Sequence, residues 1–191
     1  EGALELVRPL TKQGVIVSIG HTNATYQQAN EAFDAGCIYG THVFNAMPPL
    51  LHREPGAVGA ILASDFVFGG IIPDGLHVHP AMIKVVWRLL GPERLIVVTD
   101  CMAALGMPSG RYLLADLEVN VKDNLARLSD GTIAGSILSL DLALRNMMAF
   151  TQAPMPACLQ SMTSTPAKMM GWQDRGCLAA GYYADLNILS S

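Results

Sequence analysis

Four short apolar runs, VIVSIG, CIYGT, FVFGGII and RLIVVTD, punctuate the first hundred residues and end near His21, Thr41, Ile72 and Thr99. Between them lie stretches of helical texture, TYQQANEAFDAG, AVGAILA and AMIKVVWRLLG, with ALELVRPLTKQG ahead of the first run. This alternation predicts an α/β fold of parallel strands joined by right-handed crossovers. Pro80 is placed to open the AMIKVVWRLLG helix, whose Met82, Val85, Val86 and Leu89 are expected to share one apolar face.

After Asp100 the texture changes. GRYLLADLEVNVKDNLARLSDG predicts small antiparallel strands with Gly and Asp turns, followed by helices in SILSLDLALRNMMAF and MPACLQSMTSTPAKMMG. The closing GCLAAGYYADLNILS is expected to form a turn and one more strand. Four β/α strands are half of a closed eight-stranded barrel, which usually takes roughly 250 residues. The expectation is therefore the back half of such a fold.

Composition narrows the function. With 51% apolar and 15% charged residues over 191 positions, the chain can bury a substantial core. The formal charge of −4 and scattered Lys and Arg leave no basic stripe, which argues against a nucleic-acid partner. Phosphate groups would need local recognition. No apolar run approaches the roughly 20 residues of a membrane helix, and no basic segment leads into an apolar one at the N-terminus. The expectation is no membrane partner and a cytoplasmic location. Cys37, Cys101, Cys158 and Cys177 are widely spaced without a CxxC, as suits reduced thiols.

His21 and His42 each follow an apolar run and lie 21 residues apart, about the length of one β/α unit. Both would project from the C-terminal ends of neighbouring parallel strands, where such folds collect their active sites. Two imidazoles there can hold a divalent metal, and Asp100, at the end of a third run, could face the same pocket as an acid/base. The plainer alternative is that each histidine caps its strand and bonds to loop backbone. Arg53, in HREPG, could grip a phosphate or carboxylate bidentately, or be a surface residue paired with Glu54. In DGLHVHP, His77 follows a tight Asp-Gly turn and could bond a substrate oxygen, whereas His79 before Pro80 is expected to be an exposed helix-start residue. Asn45 and Ala46 follow His42 and could contact an anion through amide and backbone groups. Cys101, next to Asp100 in a strand, is expected to pack in the core, and the ten methionines to fill it.

GHTNAT, THVFNAMPPL, HREPGAVGAI, IIPDGLHVHP, VTDCMAALG and DGTIAGSILS, in this order and spacing, closely resemble the N-acetylglucosamine-6-phosphate deacetylases of the amidohydrolase superfamily. The likeness covers almost the whole chain. It implies the C-terminal half of a metal-dependent (β/α)8 barrel over residues 1–176, with 177–191 as the returning strand of a small β-sandwich. It further implies that His21 and His42 are metal ligands, with zinc or iron as the ion, and that Asp100 is the catalytic acid/base. Asn45, Ala46, Arg53 and His77 would contact the phosphate and hydroxyls of the phosphosugar, and Ile133, Ala134 and Gly135 would line the sugar pocket. The implied assembly is a homodimer, with Arg53 reaching the neighbouring subunit's site. The family's metal-binding Glu, in a Glu-Gly-Pro-Phe-like motif, and a further His that polarises the amide carbonyl do not occur in these residues. Glu1-Gly2 is not followed by Pro-Phe and is expected to be the tail of a preceding strand. Three alternatives follow: a truncated, inactive fragment that binds sugar phosphate, an amidohydrolase acting on a cyclic amide, and a metal-free phosphate-binding barrel.

Overall fold

The computed structural model describes residues 2–188; Glu1 lies outside them. Helix α1 (Ala3–Lys12) leads into strand β1 (Ser18–Ile19), and α2 (Tyr26–Asp34) into β2 (Tyr39–Gly40). Helix α3 (Gly56–Ala63) precedes β3 (Phe68–Ile71), and α4 (Pro80–Arg94) precedes β4 (Leu95–Val97). The four strands form one parallel sheet in the order β1-β2-β3-β4, the arrangement that the spacing of the apolar runs predicts. Hydrogen bonds extend the ladder past the short strands, from Ile38 N to Val17 O and from Thr41 N to Ile19 O.

Local chemistry explains the helix boundaries. The Thr25 hydroxyl accepts from Gln28 N while the Gln28 side chain accepts from Thr25 N, a reciprocal cap that starts α2. The His79 ring accepts from Ala81 N and Pro80 fills the first turn of α4, so His79 is an exposed helix-start residue as expected. Helix α4 kinks at Gly91, whose φ of 60° leaves the helical region just before Pro92.

The packed face of α4 differs from expectation. The buried face of α4 is Ile83, Val86 and Leu90, and Val85 and Leu89 are exposed. A helix whose stripe runs i, i+3, i+7 turns the 85/89 pair away from the sheet, so apolar character there does not mark the packed side. Helix α3 is buried from Gly56 to Leu62 because glycines let it close on the sheet: a Cβ on Gly40 would fall 2.4 Å from Ile61 Cδ1.

Beyond Asp100, β5 (Gly110–Leu114), β6 (Leu117–Lys122) and β7 (Leu125–Arg127) form the expected antiparallel sheet. It carries its own small core of Met102, Ala104, Val119, Val121, Ala126 and Ala134. Helix α5 (Leu140–Thr151) follows, and the last helical stretch divides into α6 (Met155–Gln160) and α7 (Ser164–Met169). Residues 183–188 carry no strand in this chain, and 189–191, the rest of the segment expected to form the returning strand, lie outside the described residues. A strand needs a neighbouring edge to bond to, and Ile188 here is fully exposed. Among the described residues no helix is long and apolar enough to cross a membrane.

Candidate active site

The loops after the strands carry the polar groups. His21 and His42 stand just beyond the ends of β1 and β2, both with positive φ, 43° and 28°. The two rings meet edge to face, with their Nε2 atoms 2.9 Å apart. One nitrogen must donate and the other accept, so the point between the rings holds a single proton. A divalent ion can replace that proton. At metal–nitrogen distances of about 2.0–2.1 Å, one ion could contact both nitrogens at close to this separation. The pair therefore fits a metal with little movement. His42 is buried while His21 is exposed. The Nδ1 of His42 has no hydrogen-bond partner among the described residues, so packing and the contact with His21 hold the ring.

The loops are tied together around this pair. Thr22 N donates to Ala46 O, and Asn45 turns its side-chain amide back to the carbonyls of His42 and Val43. Three residues of the second loop, His42, Phe44 and Ala46, adopt positive φ. Arg53 is exposed, and Glu54 bonds the amides of Tyr26 and Gly56 rather than Arg53.

Asp100, exposed with φ of 50°, does not join the histidines: among the described residues no three His, Cys, Asp or Glu side chains converge to hold a metal. Its carbonyl accepts from Ser136 N at 2.8 Å, and the Ser136 hydroxyl donates to Thr99 O. This bridge brings the Ile133–Gly135 segment alongside Asp100. A Cβ on Gly135 would lie 3.5 Å from Asp100 O, in ordinary contact, and it is the φ of 68° there that favours glycine. Cys101 is exposed, against the expectation of a core position, because the left-handed turn at Asp100 breaks strand alternation.

Two neighbours of the site carried no isolated sequence signal. Tyr39, on β2, is pushed up to about 12 by burial, with the Asp100 charge adding to it. Asp74 accepts His77 Nδ1 at 2.6 Å through Oδ2 and the amides of Leu76 and His77 at 2.8 Å through Oδ1. Burial raises this carboxyl, yet the His77 and amide hydrogen bonds outweigh it and hold Asp74 below the usual carboxylate value. The i, i+3 spacing of Asp74 and His77 across an Asp-Gly turn is the one cue that could have paired them.

A half-barrel of parallel strands with an imidazole pair at its C-terminal edge has the make-up of a metal-dependent hydrolase. The amidohydrolase family model matches residues 3–191, and the chain belongs to that family. It is 40% identical over 183 residues to the N-acetylglucosamine-6-phosphate deacetylase of Lysinibacillus sphaericus, covering 96% of this chain and 47% of that protein. It is 43% identical over 192 residues to the N-acetylgalactosamine-6-phosphate deacetylase of Escherichia coli O157:H7, covering 100% of this chain and 51% of the relative. Among solved structures, a mutant N-acetyl-D-glucosamine-6-phosphate deacetylase of Mycobacterium smegmatis, in complex with N-acetyl-D-glucosamine-6-phosphate, superposes with a TM-score of 0.91 at 39% identity. That match covers 96% of this chain and 49% of the other. The chain thus spans about half the length of the proteins it matches.

Proposed function

We propose that this chain carries the histidine metal ligands, the acid/base and the sugar-phosphate contacts of a deacetylase. The reaction is hydrolysis of the acetamide of N-acetylglucosamine 6-phosphate to glucosamine 6-phosphate and acetate. The carrying observation is the 2.9 Å meeting of His21 and His42 at the ends of adjacent strands. Its support is the M. smegmatis relative, which is described in complex with this phosphosugar.

A divalent ion on the two Nε2 atoms, zinc first and iron second, would supply water activation and carbonyl polarisation. Asp100 accepts a proton from the attacking water as its oxygen bonds to the acetamide carbon. It then returns that proton to the nitrogen as the C–N bond breaks, and acetate and the amine depart. Arg53 and His77 bind phosphate and hydroxyl oxygens with Asn45 and the Ala46 backbone, while Ile133, Ala134 and Gly135 line the sugar beside Asp100. Residues 1–176 belong to the barrel and 177–191 to a β-sandwich. The working form is a cytoplasmic homodimer, in which the exposed Arg53 reaches the neighbouring subunit's phosphate.

The test joins metal analysis to acetate release, using this chain alone and mixed with a polypeptide matching the other half of its relatives. Bound zinc and acetate release in the mixture are expected. Asp100→Asn should then cut turnover by orders of magnitude and leave metal content unchanged; unchanged turnover refutes its role. A second reading, phosphosugar binding without hydrolysis, draws on the lack of a three-donor cluster among the described residues. Binding with no acetate in either form would select it.

A further inference from the structure

The Asp74–His77 pair is built more tightly than a surface turn requires. The side chains are only 11% and 7% exposed, respectively, and all three hydrogen bonds to the carboxylate are 2.8 Å or shorter. Helix α5 braces the same turn from the far side of the sequence. Asn146 Nδ2 donates to Pro73 O at 2.9 Å, and one turn later the Phe150 ring lies 3.4 Å from the position of a Cβ on Gly75. Gly75 has φ of 77°, so this turn cannot relax toward an ordinary side chain without strain.

A carboxylate accepts and cannot donate, so the proton on the shared 2.6 Å bond belongs to His77 Nδ1. That leaves Nε2, which has no hydrogen-bond partner among the described residues and is not sealed from solvent. We infer that Asp74 is a positioning residue: it fixes the proton and ring orientation of His77 so that Nε2, never Nδ1, meets an oxygen of the phosphosugar. A neutral ring then accepts from a sugar hydroxyl. The ligand half of this inference rests on the deacetylase reading; the tautomer half does not.

The test is nitrogen-15 NMR of histidine-labelled protein, which separates the two neutral tautomers without any activity. The parent chain should show His77 protonated on Nδ1. Asp74→Asn should invert this, because the asparagine oxygen keeps the turn amides while its NH2 donates to Nδ1. Asn146→Ala should loosen the turn and leave the tautomer as it was, separating proton placement from general stability. An Nε2–H tautomer or a mixture in the parent, or no change in Asp74→Asn, overturns the positioning role. N-acetylglucosamine 6-phosphate added to the parent should then shift Nε2 selectively, and Asp74→Asn should weaken its binding on the order of tenfold, the low end for loss of an orienting partner. A shift at Nδ1 overturns the inference. No shift at either nitrogen removes the phosphosugar from this position while the tautomer result stands.

Discussion

A Cβ built on Gly70 would fall 2.0 Å from Tyr39 Oη, 2.9 Å from Tyr39 Cζ and 3.3 Å from the backbone nitrogen of His42. Gly70 has no positive φ, so Gly70→Ala tests space alone. Ordinary contacts lie near about 3.5–4 Å, and the Tyr39 hydroxyl would have to retreat by roughly 1.5 Å. It has little freedom to do so, because Tyr39 sits on β2 between two neighbouring strands and the third obstacle is backbone. Overpacking of this kind costs up to about 3 kcal/mol, and alanine recovers about 0.4–1 kcal/mol by restricting the unfolded chain. The net loss is about 2 kcal/mol, which for a chain of this size lowers the melting midpoint by roughly 4–8 °C. Urea unfolding followed by circular dichroism measures it. The same substitution in a Tyr39→Phe background, which lacks the atom at 2.0 Å, should cost about 1 kcal/mol less. A Gly70→Ala protein within about 0.5 kcal/mol of the parent, or an equal cost in both backgrounds, refutes the reasoning.

Two further outcomes follow from burial. Tyr39 is raised to about 12 in the folded state, above its ordinary value of about 10, so its share of stability is intact below pH ~10 and is lost as pH rises through 12. Near-ultraviolet absorbance should show this phenol among the last to ionise, and Asp100→Asn should bring it down; no change there denies that Asp100 acts on Tyr39. Burial also pushes up the thiols of Cys37 and Cys158, while Cys101 and Cys177 are exposed. A colorimetric thiol reagent should therefore titrate two groups quickly and two only after unfolding, and rapid reaction of Cys37 would contradict its packing.

The parallel sheet was legible because each strand is a short apolar run and each run must be paired to satisfy its backbone. The α4 face was not. Val85 and Leu89 are as apolar as Ile83 and Leu90, and only the sheet beneath decides that Val86 turns inward with the second pair rather than the first. The C-terminal segment shows the same dependence on a partner, because β structure is a property of two segments, and residues 183–188 bond to no strand edge here. Cys101 failed for a local reason. The alternation rule assumes extended backbone, and Asp100 turns left-handed immediately before it.

The site divides along the same line. His21 and His42 were visible because neighbouring strands repeat at one β/α unit, so sequence spacing stands in for distance. Asp100 and Gly135 are 35 residues apart and meet only through the bridge from Cys101 to Ser136, which leaves no periodic trace. Strand geometry also says why Asp100 stands off from the histidine pair. Asp100 follows β4, two strands from β2, and neighbouring strands lie about 4.8 Å apart, so the edges that carry Asp100 and His42 are separated by roughly 10 Å. A carboxylate at that remove is poorly placed to share an ion that the two adjacent imidazoles would hold. In the proposed deacetylase, Asp100 would instead act on the attacking water and the leaving nitrogen of a substrate that comes within its hydrogen-bond reach.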